Sequence, residues 1–127
     1  MTNDRVRKGL RGEVSVVVGD EDTAVRVGSG DVPVLATPRL LALAEAATVE
    51  ALRGHLGPGE TSVGSRVELR HLAPSAVGVQ VTVEAGLDEV DGPRLVFGVV
   101  ARDERGVVVG RGRVERVVVD RERFLRQ

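Results

Sequence analysis

The chain has 127 residues, of which 42% are hydrophobic and 29% charged, and its formal net charge is -1. This is the size and balance of one compact soluble domain; the charge gives no electrostatic footing for nucleic acid. Aromatic residues make up 2% with no Trp or Tyr, so the stacking platforms of single-strand binders are missing. The lack of cysteine excludes disulfides, thiolate metal sites and a cysteine nucleophile together. Neither a membrane-length apolar run nor the apolar stretch of a secretory signal is present, so a cytoplasmic location is expected, with no membrane partner. Every basic residue except Lys8 is arginine, from which no function follows.

In chain order, the Val-rich segment from Leu10 to Val18 reads as a strand, Gly19-Asp20-Glu21-Asp22 as a turn, and Thr23 to Val27 as a shorter β-like piece. Gly28 to Pro33 is a loop. Thr37-Pro38 has the form of a helix start, with a hydroxyl N-cap followed by proline at the first helical position. That helix is predicted to run to about Leu56 and to stop at Gly57-Pro58-Gly59, a sequence that lacks the lysine and spacing of a phosphate-binding loop. His55 reads as a favourable C-terminal helix residue and not as a ligand.

Beyond the helix the period changes to alternation. Thr61 to Leu72 sets Val63, Val67, Leu69 and His71 on one face, and Val77 to Leu87 aligns Val77, Val79, Val81, Val83, Ala85 and Leu87. Arg94 to Asp103 aligns Leu95, Phe97, Val99 and Ala101, Val107 to Val119 is the last strand, and Asp91-Gly92 and Arg105-Gly106 mark hairpins. Arg121 to Gln127 is expected to be a solvated tail of the single domain 1–127. A helix of this length spans about 28 Å, and alanines and leucines cover most of its circumference, so most of it should be buried. An antiparallel sheet wrapped around one long central helix, an α+β hot-dog fold, satisfies both patterns.

Three polar residues stand out against these faces. Arg39, Glu50 and Arg53 form the polar arc of the helix, whereas Glu45 projects roughly 240° away from Arg39, between Leu41, Leu52 and Leu56. It is either an edge residue reaching water or a carboxylate kept for chemistry. His71 shares the inward parity of Val67 and Leu69; alone it reads as a satisfied core histidine, but the helix crosses this strand, so Glu45 and His71 are expected to face a common cleft as a base and acid pair. Thr37 is explained by capping, and a hydroxyl at the positive helix end also suits an oxyanion. The parity of Arg116 with Val114 and Val118 points inward, while Val117 and Val119 favour the opposite face.

From Ala36 to Phe124 the chain resembles the fluoroacetyl-CoA thioesterase family and its hot-dog-fold relatives. The markers are Thr37 ahead of the helix, Glu45 eight residues on, the GPGETSVGSRV stretch, His71 followed by Ala73-Pro74 and Gly78, and GRGRVERVVV with Arg123-Phe124 near the end. The resemblance implies a homodimeric acyl-CoA thioester hydrolase that needs no cofactor, CoA being part of the substrate, with the acyl group in a cleft near the subunit interface. It implies Thr37, Glu45 and His71 as catalytic residues, Gly64 as a glycine whose backbone lies against the substrate carbonyl, and Arg116 as an arginine beside the site. Glu45 would act as nucleophile or general base, His71 would protonate the departing thiolate, and Thr37 would orient the carboxylate. The family's fluoroacetyl-specific member carries phenylalanines ahead of the helix that form a lid over the acyl group. Here that segment is Gly28-Ser29-Gly30-Asp31-Val32-Pro33-Val34-Leu35, without an aromatic residue, so selectivity for fluoroacetyl-CoA is not expected, and a general or different preference among small or medium acyl groups is. A non-catalytic acyl-CoA or acyl-carrier binding module on the same fold is the competing reading; a hydratase ranks below both because its Asp-His pairing is not found.

Overall fold

The computed structural model describes residues 5–127. Five strands form one antiparallel sheet in the order β1-β3-β4-β5-β2. They are β1 (Arg11–Val17), β2 (Glu60–His71), β3 (Gln80–Asp91), β4 (Arg94–Asp103) and β5 (Val108–Asp120). A short α1 (Ala24–Val27) and the long α2 (Thr37–Leu52) lie between β1 and β2, and a short α3 (Arg121–Leu125) closes the chain. The antiparallel sheet and its single long helix are the α+β hot-dog arrangement. No helix of the described residues is long and apolar enough to cross a membrane.

The alternation read from the sequence is the core. Val81, Val83, Ala85 and Leu87 of β3 and Leu95, Phe97, Val99 and Ala101 of β4 are buried against Leu40, Leu43, Ala44, Ala47 and Ala51 of α2. The helix lies close to the strands because two of them present glycine to it. A Cβ at Gly12 would collide with the backbone of Ala47 and Ala51, and one at Gly110 would come within 2.8 Å of Leu40 Cδ2. Such close backbone approach is a standard reason for glycine in a strand.

Several boundaries differ from the sequence reading, each for a local reason. Thr23 to Val27 is a helical turn and not a β-like piece: the Thr23 hydroxyl accepts from Arg26 N–H, and Gly28 closes the turn at φ 88. These caps outweigh the β preference of Val25 and Val27. Helix α2 ends at Leu52, short of Leu56, because Gly54 adopts φ 80 and breaks the helical path. Its start is displaced as well, since Ala36 is the N-cap and Thr37 already belongs to the helix. Strand β3 starts at Gln80, and Val77 is 52% exposed, because Gly78 at φ 95 sits in a turn closed by the Val79 N–H to Ala76 carbonyl bond. Residues from Arg121 onward are exposed, and Asp120 caps Arg121–Leu125 into a turn of helix.

The helix is also less buried than its composition suggests. Ala42 and Val49 are exposed and Glu45 and Ala46 half-buried, so one face of α2 is left uncovered by the five strands.

The entry to α2 is held by Asp22. Its Oδ2 accepts from Gly19 N–H at 2.8 Å, its Oδ1 accepts from Arg39 Nε at 2.7 Å, and its carbonyl accepts from Ala36 N–H. Burial pushes this carboxyl upward, but the Gly19 bond and the Arg39 guanidinium outweigh it and hold the group below the usual carboxylate range. A folded-state value below the unfolded one means that the stabilisation is present at neutral pH and is lost as pH falls through the folded value. Asp22→Ala should therefore lower unfolding stability by about 2 kcal/mol at pH 7. The deficit should shrink in denaturant titrations below about pH 4.

Candidate functional site

The candidate residues gather in two groups, one at each end of a line along α2. At the N-terminal end, Thr37 Oγ1 lies 2.7 Å from His71 Nδ1. Because Thr37 is inside the helix, its hydroxyl makes no cap and is available to the histidine. Within one chain this hydroxyl bonds the imidazole and not the Glu45 carboxylate. The other ring nitrogen, His71 Nε2, is buried without a protein partner. A cleft of about 360 Å³ opens here, bounded by Ser29, Val32 and Leu35 of the pre-helix loop, by Thr37, and by His71 to Pro74. The loop that lacks aromatic residues is thus the wall of this cleft.

The second group surrounds Glu45. Arg116 Nη1 donates to Glu45 Oε2 at 3.3 Å, Arg116 Nε to Ser62 Oγ at 2.9 Å, and Arg116 Nη2 to the Ser62 carbonyl at 3.0 Å. The side chain of Glu45 is 35% exposed and that of Arg116 only 7%. Of the two orientations open to Arg116, the inward one is therefore correct. Burial pulls this guanidinium below its usual range and the Glu45 carboxylate counters part of that; an arginine remains charged throughout. A Cβ on Gly64 would collide with Glu45 Oε2, so the carboxylate rests directly on the glycine backbone.

A bulge makes the second group possible. Register along β2 and β5 shifts between Gly64 and Arg66, leaving Ser65 as the extra residue. Val67, Leu69 and His71 oppose Val114, Gly112 and Gly110, whereas Gly64 opposes Arg116 and Ser62 opposes Val118. Directly opposed residues share a face, so the bulge turns Gly64 and Ser62 toward the helix and sends Val63 to the other side. The expectation that Val63 shares the face of His71 is corrected on this ground. Ser62 was not singled out by the alternation; the Gly64-Ser65 pair inside a strand is the signal that marks a bulge and would have found it.

Among the described residues no hydrogen bond joins Glu45 to Thr37 or His71. Thr37 and Glu45 are two turns apart, about 12 Å along the helix axis, so one chain holds the two groups apart and does not gather them in a single cleft. A larger cleft of about 810 Å³ lies elsewhere, between the β3–β4 turn and α3, and contains none of the candidate residues. Among the described residues no group of three or more His, Cys, Asp or Glu is placed to hold a metal ion.

The family model for fluoroacetyl-CoA-specific thioesterases matches residues 18–122. The chain belongs to that family. The fluoroacetyl-CoA thioesterase of Streptantibioticus cattleyicolor is 41% identical over 92 residues, which cover 72% of this chain and 65% of that protein, so the match spans just under two thirds of the relative. A thioesterase superfamily member from Thermus thermophilus superposes with a TM-score of 0.89 at 30% identity, covering 95% of this chain and 89% of the other. A variant of the fluoroacetyl-CoA thioesterase solved in complex with acetyl-CoA gives 0.88 at 32% identity, covering 95% of both chains.

The electrostatics of the first group can be measured directly. Burial lowers the His71 pKa from its ordinary value of 6.5, so the imidazole is neutral at pH 7 and gains a proton only as pH falls through the depressed value. An NMR titration of the ring protons should place the His71 midpoint below 6.5. A midpoint at or above that value contradicts the burial of this ring.

Proposed function

We propose that this chain hydrolyses acyl-CoA thioesters, with Glu45, His71 and Thr37 as the catalytic residues and Gly64 and Arg116 as substrate-site residues. The observation that carries the reading is the bare Gly64 backbone beneath a carboxylate steadied by a buried arginine. A thioester carbonyl seated on that backbone meets the Glu45 oxygen without an intervening side chain. Glu45 either attacks the carbonyl carbon, forming an anhydride that water opens, or takes a proton from a water that attacks. The C–S bond breaks in either route, and the neutral His71, turned by Thr37, donates the hydrogen bond that stabilises the departing CoA thiolate.

The two groups serve one thioester if two copies associate. Strand β2 is a sheet edge, with β5 on one side and no strand on the other among the described residues. Antiparallel pairing of two β2 edges about a two-fold axis between Val67 and Glu68 sets Gly64 of one copy opposite His71 of the other. The uncovered face of α2, with Ala42 and Val49, then meets the second copy. A homodimer with Glu45 from one copy and Thr37 with His71 from the other follows.

For the acyl group we propose a small or medium chain without selectivity for fluoroacetyl. The Gly28 to Leu35 segment walls the His71 cleft with Ser29, Gly30, Val32, Val34 and Leu35 and offers no aromatic cover. The test is release of free thiol from a panel of acyl-CoAs with acetyl-CoA and fluoroacetyl-CoA included. Glu45→Ala and His71→Ala should each lower kcat by at least about a hundredfold, with fluoroacetyl-CoA not preferred strongly over acetyl-CoA. Tight acyl-CoA binding with no thiol released from any substrate would favour a non-catalytic binding module, and full rates in both variants would exclude these residues from the chemistry.

A further inference from the structure

We infer that Ser62 is a positioning residue for hydrolysis, acting through Arg116 on the Glu45 carboxylate; this rests on the reading of Glu45 as the attacking or basic group. Arg116 reaches Glu45 with a single nitrogen, Nη1, at 3.3 Å, which is long for a charge-assisted bond. Its direction is set from the opposite edge of the guanidinium, where Ser62 engages it twice, by hydroxyl and by carbonyl. The guanidinium is planar and its donors are fixed relative to one another. Fixing Nε and Nη2 on Ser62 therefore fixes where Nη1 points. Loss of the hydroxyl leaves the carbonyl as a single pivot, about which the plane can swing and the longer bond to Glu45 opens.

The placement of Ser62 depends on the Ser65 bulge, since without that extra residue the alternation of β2 would turn Ser62 and Gly64 away from the helix. A structural role for the hydroxyl is weak by comparison. Ser62 is half-buried at the rim of a cleft it shares with Val49, Leu52 and Thr61, so its removal opens no core cavity.

Ser62→Ala and Ser62→Thr, compared with the parent and Glu45→Ala on an acyl-CoA that the parent hydrolyses, test the inference. Ser62→Ala should lower kcat about tenfold with KM changed by less than about twofold. It should leave the melting temperature near that of the parent, and Ser62→Thr, which keeps the hydroxyl, should recover most of the rate. Exchange of the Arg116 Nε–H with water, followed by NMR, should quicken in Ser62→Ala and not in Ser62→Thr. Parent-like kcat and parent-like Nε–H exchange in Ser62→Ala, with Glu45→Ala inactive, overturns the role of Ser62 alone. A loss of rate matched by a fall in melting temperature and unrecovered by threonine also overturns it. Full activity in Glu45→Ala removes the underlying reading and the inference with it.

Discussion

Helix α2 meets the sheet at backbone distance at Gly12, against Ala47 and Ala51, while Gly110 leaves room for the Leu40 side chain, and this seating sets where the helix presents Thr37 and Glu45. A side chain at Gly12 would lift the helix from the strands. With the helix seated, its N-terminal turn brings Thr37 against the end of β2 at His71, and the turn two further on brings Glu45 against Gly64. Gly64 repeats the device at the site itself, where the missing Cβ makes room for a carboxylate oxygen. The core and the candidate site thus depend on the same physical condition, strands that withhold side chains where the helix passes.

The two groups along α2 differ in their electrostatics. The histidine is kept neutral by burial, with one ring nitrogen turned by a hydroxyl and the other unpartnered. Glu45 stands beside a buried arginine whose three bonded nitrogens all find oxygen. The neutral imidazole and the paired carboxylate lie on opposite sides of the β2 bulge. The free edge of β2 and the uncovered Ala42 and Val49 on α2 are surfaces through which a second copy can bring the two groups together.

Much of this was legible in the sequence. The alternation of Leu95, Phe97, Val99 and Ala101 and of Val81, Val83, Ala85 and Leu87 named the core strands, and Glu45 was visible as the acidic residue off the polar arc of the helix. Strict alternation failed at β2 because it assumes an unbroken period of two, and the extra Ser65 reverses every residue before it. The same failure hid Ser62, whereas the facing of Arg116 was left undecided because valines occupy both parities of β5, at Val114 and Val118 and at Val117 and Val119. Thr37 was read as a cap because a hydroxyl before proline has that local use; the competing partner, His71, is distant in sequence and is supplied only by the fold. Gly54, which ends the helix, was overlooked beside the stronger punctuation of Gly57-Pro58-Gly59.

The central claim is that one thioester is served by Glu45 of one copy and His71 of its partner. Co-expression of Glu45→Ala and His71→Ala chains under different affinity tags, followed by purification of the mixed dimer, tests it most directly. If the site is shared, the mixed dimer contains one site carrying both substitutions and one carrying neither, and it should recover about half of the parent rate per dimer. A mixed dimer as inactive as either variant alone would contradict the shared site and confine the chemistry to a single chain.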